Sequence, residues 1–209
     1  CTVITMNTTT EPCLLSQRDA RGVHTLTLNR PDAFNALSEE LLGALQRELV
    51  VLAADTDVRV VLLAAAGKAF CAGHDLKEMR AAPSLEYYQT LFAKCSEVML
   101  ALQRLPVPVI ARVQGIATAA GCQLVAMCDL ALAASNARFA VSGVNFGLFC
   151  STPSVALSRN LGRKAAFEML VTGEFISADQ AQQKGLVNRV AEPAALDDAV
   201  EQLVASIIA

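Results

Sequence analysis

Val109-Ile110-Ala111-Arg112-Val113-Gln114-Gly115-Ile116-Ala117-Thr118-Ala119-Ala120-Gly121-Cys122-Gln123 carries a strand, a turn and a helix start in succession. Residues 109–113 are apolar and partly β-branched, which predicts a short strand. Gln114-Gly115 turns the chain. Ala119-Ala120-Gly121 opens a helix that runs to about Cys128. The same order recurs on either side. Upstream, residues 58–65 are apolar with almost no polar interruption, the pattern of a strand covered on both faces. A Gly-containing loop (67–75) follows, then a helix over 85–105 stopped by Pro106 and Pro108. Downstream, residues 129–134 read as a strand, and 142–151, with Gly143 and Gly147, as a loop. Helices follow near 154–160 and 163–171.

Nearer the ends, Val23–Leu28 alternates apolar and polar residues, as a half-buried strand does. Asn29-Arg30-Pro31-Asp32 breaks it. Ser38-Glu39-Glu40 supplies a cap residue and early acids suited to a helix dipole. Leu41, Leu42, Leu45, Leu49 and Leu52 give that helix an apolar face. Ser177-Ala178-Asp179-Gln180 has the form of a capping box, and Gly185 the form of a helix stop. Residues 187–190 read as a last strand and 195–208 as a last helix. Residues 1–20 are Thr-rich and weakly patterned, a loose lead-in. Strands and helices alternate throughout, so the fold class is α/β, with one domain over residues 1–209 and no Pro-, Gly- or Ser-rich linker to divide it. The strand–strand–helix rhythm points to a structural repeat, although no sequence repeat is visible.

Composition narrows the function. Lys and Arg number 17 against 20 Asp and Glu, a net charge of −3; 54% of residues are hydrophobic and 18% charged. That composition excludes a disordered chain, and the lack of basic excess argues against a nucleic-acid partner. So much apolar surface implies a homo-oligomer or helices buried on several sides. The longest clean apolar stretch, residues 60–66, is far short of the roughly 20 residues of a membrane span, so no membrane insertion is expected. Residues 1–10 lack a basic region followed by an apolar run, so no secretory signal is expected. The seven cysteines are irregularly spaced, and Cys122 and Cys128 lie in apolar helical surroundings. They read as buried free thiols of a reducing compartment. With only His24 and His74 beside them, no metal site is expected.

Two Gly-containing turns each follow an apolar strand: Ala69-Phe70-Cys71-Ala72-Gly73-His74-Asp75-Leu76-Lys77 and 114–123. Small residues let a ligand approach backbone N–H groups, and a helix that begins at Ala119 leaves its first amides unpaired and positively polarised. One amide from each turn would grip an oxygen that becomes negative during a reaction, an oxyanion hole in which one donor is worth about 3 kcal/mol. Tight strand-to-helix connections with no ligand are the other reading of the same spacing. No Gly-x-Gly-x-x-Gly turn follows an early strand, which argues against a dinucleotide-binding oxidoreductase.

Asn29-Arg30-Pro31…Asn35-Ala36-Leu37, Phe70-Cys71-Ala72-Gly73-His74-Asp75-Leu76, Gly115…Ala119-Ala120-Gly121-Cys122-Gln123-Leu124…Cys128-Asp129 and Thr172-Gly173…Ser177-Ala178…Ala181…Gly185-Leu186-Val187 together resemble the enoyl-CoA hydratase/isomerase (crotonase) family. The matches run in order over nearly the whole chain. The resemblance implies a crotonase-like spiral of strand–strand–helix turns, an acyl-CoA thioester as substrate, and trimers that often pair into hexamers. Coenzyme A enters as part of the substrate, with no separate cofactor. By position, the oxyanion donors are the backbone N–H groups of His74 and Ala120. Ala120 stands where the family often has Gly. Ala36, Leu37, Ala72, His74, Asp75, Leu76, Lys77, Gly121 and Asn145 fall at substrate-binding positions, with Lys77, Arg80 and Arg30 as candidate phosphate partners. The location implied is the cytoplasm, or the mitochondrial matrix in a eukaryote.

The departures shape the functional expectation. Hydratases of this family place a Glu at the position of Gln123 and another at that of Gly143. An amide takes no proton near pH 7 and glycine has no side chain, so ordinary hydration is expected to be crippled. Gln123 keeps the capacity to orient a water or a carbonyl, or serves as a structural amide. Replacing both residues with Glu is expected to raise hydration. Ser142, Asn145, Cys150 and Ser151 fall near the acyl end, with Cys150 read as buried and unreactive. Asp75 and Asp129 read as structural. Decarboxylation or isomerisation of a thioester would need an enolate stabiliser but few side-chain acids. A non-catalytic acyl-CoA-binding protein is the alternative. Family members also continue past the position of Ala209 into helices that pack at subunit contacts, so that C-terminal helical part is expected to be missing here.

Overall fold

The computed structural model describes residues 11–81 and 83–209. The strands are β1 (Leu14–Arg18), β2 (Val23–Leu28), β3 (Val60–Ala65), β4 (Ala69–Cys71), β5 (Val109–Val113), β6 (Ile116–Thr118), β7 (Leu130–Ala134), β8 (Arg138–Ala140), β9 (Ile176–Ser177) and β10 (Arg189–Ala191). The helices are α1 (Glu39–Ala54), α2 (Leu76–Ala81), α3 (Leu85–Arg104), α4 (Ala120–Met127), α5 (Ser151–Asn160), α6 (Arg163–Thr172), α7 (Ala178–Lys184) and α8 (Leu196–Ile208).

The strands form two sheets, ordered β1-β2-β3-β5-β7-β10 and β4-β6-β8-β9. In the first sheet β2, β3, β5, β7 and β10 run parallel and β1 antiparallel. In the second, β4, β6 and β8 run parallel and β9 antiparallel. The chain visits the large sheet, then the small sheet, then a helix, and repeats: β3–β4–α2, β5–β6–α4, then β7–β8 leading to α5. Successive turns stack in register, with Leu62 beside Ile110 and Ile110 beside Leu130. This is the spiral implied by the family resemblance.

Both faces of the large sheet are buried, which explains the unbroken apolar run in β3. Val61 and Leu63 point into the core shared with α1, α3 and α4. Val60, with Val23 of β2 and Ile110 of β5, points the other way, against Leu196, Val200, Leu203 and Val204 of α8. Each such side chain contributes about 1.5–3 kcal/mol of burial. α1 begins where expected: the Ser38 hydroxyl accepts from the Leu41 amide at 3.1 Å. The capping box at Ser177 and Gln180 is formed, and Gly185 ends α7 in the left-handed region.

Several expectations need correction. The lead-in contains β1, while its first residues, 1–10, lie outside the described residues. β4 lies inside the segment read as loop, and β6 and β8 are further strands of three residues. Three residues are too few to show a period; these strands are held by neighbours on the next turn of the spiral. The last strand is Arg189–Ala191, not 187–190, because Val187 is buried in the core ahead of it. Cys122 and Cys128 are buried and free, and burial pushes their thiol pKa values up, that of Cys122 to about 12.

Candidate functional site

The two Gly-containing turns lie side by side, and the glycines explain how. A Cβ on Gly115 would sit 2.0 Å from the Lys68 carbonyl oxygen, and one on Gly121 2.1 Å from that of Cys71. Each turn therefore packs backbone to backbone against the turn before it. A Cβ on Gly73 would lie 3.4 Å from the Ala120 amide nitrogen. The Thr118 hydroxyl donates to the Ala72 carbonyl at 2.9 Å, and the Gln114 side-chain amide to the carbonyls of Ala65, Gly67 and Ala69.

This packing fixes which way the amides point. Leu37 pairs with the first turn: its N–H donates to the Gly73 carbonyl and its carbonyl accepts from the Asp75 N–H, so the N–H of His74 between them is left out of the ladder. Ala120 is the first residue of α4, so its N–H has no acceptor within the helix. Neither amide has a hydrogen-bond acceptor among the described residues. Ala119, which sets the direction of the Ala120 N–H, holds φ 49° and ψ −119°, a strained conformation for a residue with a Cβ.

His74 and Ala120 line a cavity of about 450 Å³. Ala36, Ala72, Leu76 and Met79 continue its wall from the first turn and α2, and Phe92 reaches it from α3. The roof is the segment 142–153, through Ser142, Gly143, Phe146, Leu148, Phe149 and Cys150, with Ser151, Thr152 and Pro153 at the start of α5. The lining is mainly apolar. Phe146, Leu148 and Phe149 are also exposed, at 76%, 53% and 49%.

Of the residues expected at the site, Ala36, Ala72, His74, Leu76 and Ala120 share this cavity, together with Ser142, Gly143, Cys150 and Ser151. Leu37, Asp75, Lys77, Gly121, Gln123 and Asn145 lie outside its lining. Leu37 is buried in the core, and Gly121 faces Cys71. Asn145 reaches the Gly173 carbonyl at 3.4 Å. Asp75 starts α2 by accepting from the Lys77 and Glu78 amides, and it pairs with Arg30 at 3.0 Å. Burial opposes the Asp75 charge, but these hydrogen bonds outweigh it and hold the carboxyl below its ordinary pKa. Arg30 also donates to the Ala36 carbonyl at 2.5 Å, so it braces the loop. Asp129 accepts from the Val109 amide at 2.8 Å, the structural role expected of it.

Asn35 is fully buried, and the whole of its side chain is used: it accepts from the Arg30 amide and donates to the Ala66 and Ala69 carbonyls, each at 2.8 Å. The motif around it thus ties the wall to β3 and β4.

Two lining side chains, His74 and Cys150, define what the cavity can do, with Gln123 buried outside the lining. Burial lowers the His74 pKa to about 4, so the ring is neutral near pH 7; it stands edge-on to Phe92 at 5.2 Å. Burial raises the Cys150 pKa, partly offset by a hydrogen bond from the Gly143 backbone, so its thiol stays protonated. Gln123 is buried, with an Oε1 that has no partner. A Cβ on Gly143 would lie 2.4 Å from the Leu148 carbonyl oxygen and 2.6 Å from Cys150 Sγ. The space a side chain at 143 would need is occupied, which corrects the expectation that Glu could simply be restored there.

Sequence reasoning missed Met79, Phe92, Ala119 and the roof residues Phe146, Leu148, Phe149, Thr152 and Pro153. Phe146 and Phe149 carried a usable signal, since two aromatic residues in a Gly-containing loop with no period have no core face to occupy.

The family model described as "Enoyl-CoA hydratase/isomerase" matches residues 18–209. The chain is similar to enoyl-CoA hydratase domain-containing protein 3, mitochondrial, of Rattus norvegicus, 45% identical over 197 residues covering 94% of this chain and 66% of that protein. Among solved structures, an enoyl-CoA hydratase of Mycobacterium smegmatis aligns with TM-score 0.94 and 73% identity, covering 95% of this chain and 77% of that one. Human enoyl-CoA hydratase domain-containing protein 3 aligns with TM-score 0.89 and 43% identity over 94% and 77% of the two chains. The chain spans 58% to 66% of the length of the domain-containing protein 3 relatives it matches.

Proposed function

The chain belongs to the enoyl-CoA hydratase/isomerase family, and from that premise we propose that its cavity takes the acyl part of a coenzyme A thioester and polarises the thioester carbonyl. The donors are the backbone N–H groups of His74 and Ala120. The observation that carries this is the side-by-side packing of their two turns, with both amides free of acceptors. Amides fixed in place by neighbouring backbone need no reorganisation when the carbonyl oxygen becomes an enolate oxygen. The apolar roof suits an acyl chain. Coenzyme A arrives as part of the substrate. In this reading the chain acts as one domain, in a homotrimer or hexamer. It resides in the mitochondrial matrix or in the cytoplasm; the names of its curated relatives call those proteins mitochondrial. No helix among the described residues is long and apolar enough to cross a membrane.

Ordinary hydration needs a group that takes a proton from water, and neither Gln123 nor Gly143 is one. Isomerisation or decarboxylation of a thioester, supported chiefly by the two amides, fits the site better. The filled space at Gly143 favours a second reading, an acyl-CoA-binding protein without turnover. Thermal shift with a panel of acyl-CoA thioesters, run beside mass spectrometry of products from crotonyl-CoA, tests both. Binding with little 3-hydroxybutyryl-CoA formed is the expected result. Turnover at the rate of an ordinary hydratase would refute the claim about hydration, and absence of any binding would refute the whole reading.

A further inference from the structure

The His74 ring is the imidazole of an otherwise apolar wall, between Ala72, Leu76 and Phe92. Its Nδ1 is sealed from solvent and has no hydrogen-bond partner. Nε2 has no protein partner among the described residues either, but it is not sealed. A buried acceptor without a partner is tolerated better than a buried N–H, so the ring settles with its lone pair at Nδ1 and its proton at Nε2. Phe92 stands perpendicular to the ring, at an interplanar angle of 88°, and holds it against rotation. His74 therefore offers two donors to one cavity: its backbone N–H and, roughly 5 Å away along its own side chain, Nε2–H.

We infer that the His74 side chain is a specificity-determining residue whose Nε2–H donates to a second oxygen on the acyl group, selecting thioesters that carry oxygen at the β-carbon. This rests on the thioester reading above. With the thioester oxygen on the amides, three carbons (carbonyl, α and β) separate it from a β-oxygen, and in an extended acyl group that span reaches roughly 5 Å, comparable to the offset between His74's two donors. A plain acyl chain would expel water from Nε2 and leave a donor stranded, and sites built around such a donor discriminate against the analogue that lacks the acceptor.

Isothermal titration of the 209-residue chain with 3-hydroxybutyryl-CoA and with butyryl-CoA tests the inference. The wild type is expected to bind the hydroxylated thioester about tenfold more tightly, the scale of one net hydrogen bond. His74→Leu, which keeps the backbone amide, is expected to bring the two affinities together. His74→Gln, whose amide reaches the position of Nε2, is expected to restore most of the preference. Equal wild-type affinities, or a preference that survives in His74→Leu, overturn the inference alone. Should His74→Leu fail to fold, the wild-type comparison and His74→Gln still decide it. No binding of either thioester overturns the underlying reading together with the inference.

Discussion

Behind the wall of the cavity, a Cβ on Gly121 would lie 2.1 Å from the Cys71 carbonyl oxygen, whereas in the roof segment a Cβ on Gly147 would meet nothing within 4 Å. The wall is built from backbone pressed on backbone across successive turns of the spiral. The roof is a Gly-containing loop with exposed phenylalanines, held by short-range bonds such as Leu148 N–H to the Gly143 carbonyl. The contrast assigns the two regions different work. The wall holds amides in position and admits no side chain at Gly115 or Gly121; the roof shapes the space for the ligand and has room to vary at Gly147, though not at Gly143.

Paired substitutions break or sharpen this contrast. Gly121→Ala forces α4 away from β4 and is expected to cost about 3 kcal/mol or more. Gly147→Ala meets open space and carries only the cost of its φ of 76°, about 1 kcal/mol. Urea denaturation midpoints of the two variants check this. Equal losses would mean that the wall relaxes as easily as the roof. Asn35→Ala probes the next layer of the wall. It leaves the Ala66 carbonyl and the Arg30 amide without these partners, while the Ala69 carbonyl keeps the Gln114 side-chain amide, for an expected loss of about 2 kcal/mol.

What the sequence made legible follows the same division. The spiral could be read because each long strand has a chemical signature, such as the two-faced apolar run of β3. The wall could be read because Gly73, Ala120 and Gly121 stand at positions where backbone must pass close to backbone. Their purpose could not be read from spacing alone: Gly121 makes room for Cys71, and Asn35 serves the frame of the site. In the roof, Ser142, Gly143, Cys150 and Ser151 were legible only through the family resemblance, and the remaining lining residues were not legible as a site. The roof's side chains follow no period, and what places Leu148 and Cys150 beside Gly143 is a loop path that local pattern does not encode.

The wall also responds to acid. Burial holds the folded-state His74 pKa near 4, below its unfolded value of 6.5, and burial lowers that of His24 as well. Between those values the unfolded chain binds more protons than the folded one, so stability falls as pH drops from 6.5 toward 4. For His74 the expected loss between pH 6.5 and 4.5 is on the order of 1–2 kcal/mol. Asp75 does not confuse the measurement. Its depressed pKa supplies stability that is present above the ordinary carboxylate value of 3.8 and is lost as pH falls below it. Thermal melts across this range, repeated with His74→Gln, are expected to show a flatter profile in the variant. An unchanged slope would mean that the ring is not sealed as described.

Ala119 offers the finest test, because two effects of similar size oppose each other there. Its φ of 49° with ψ −119° costs about 1–3 kcal/mol for a residue with a Cβ and very little for glycine. Glycine loses more conformational entropy on folding, about 0.5–1 kcal/mol. Ala119→Gly is therefore expected to stabilise the chain by about 1 kcal/mol in urea denaturation. If the Ala120 amide is held by the packing of Gly73 and Gly121, acyl-CoA affinity is expected to change by less than about threefold. A large fall in affinity at unchanged or increased stability would show instead that the methyl of Ala119, wedged between the two turns, is what aims the Ala120 N–H into the cavity.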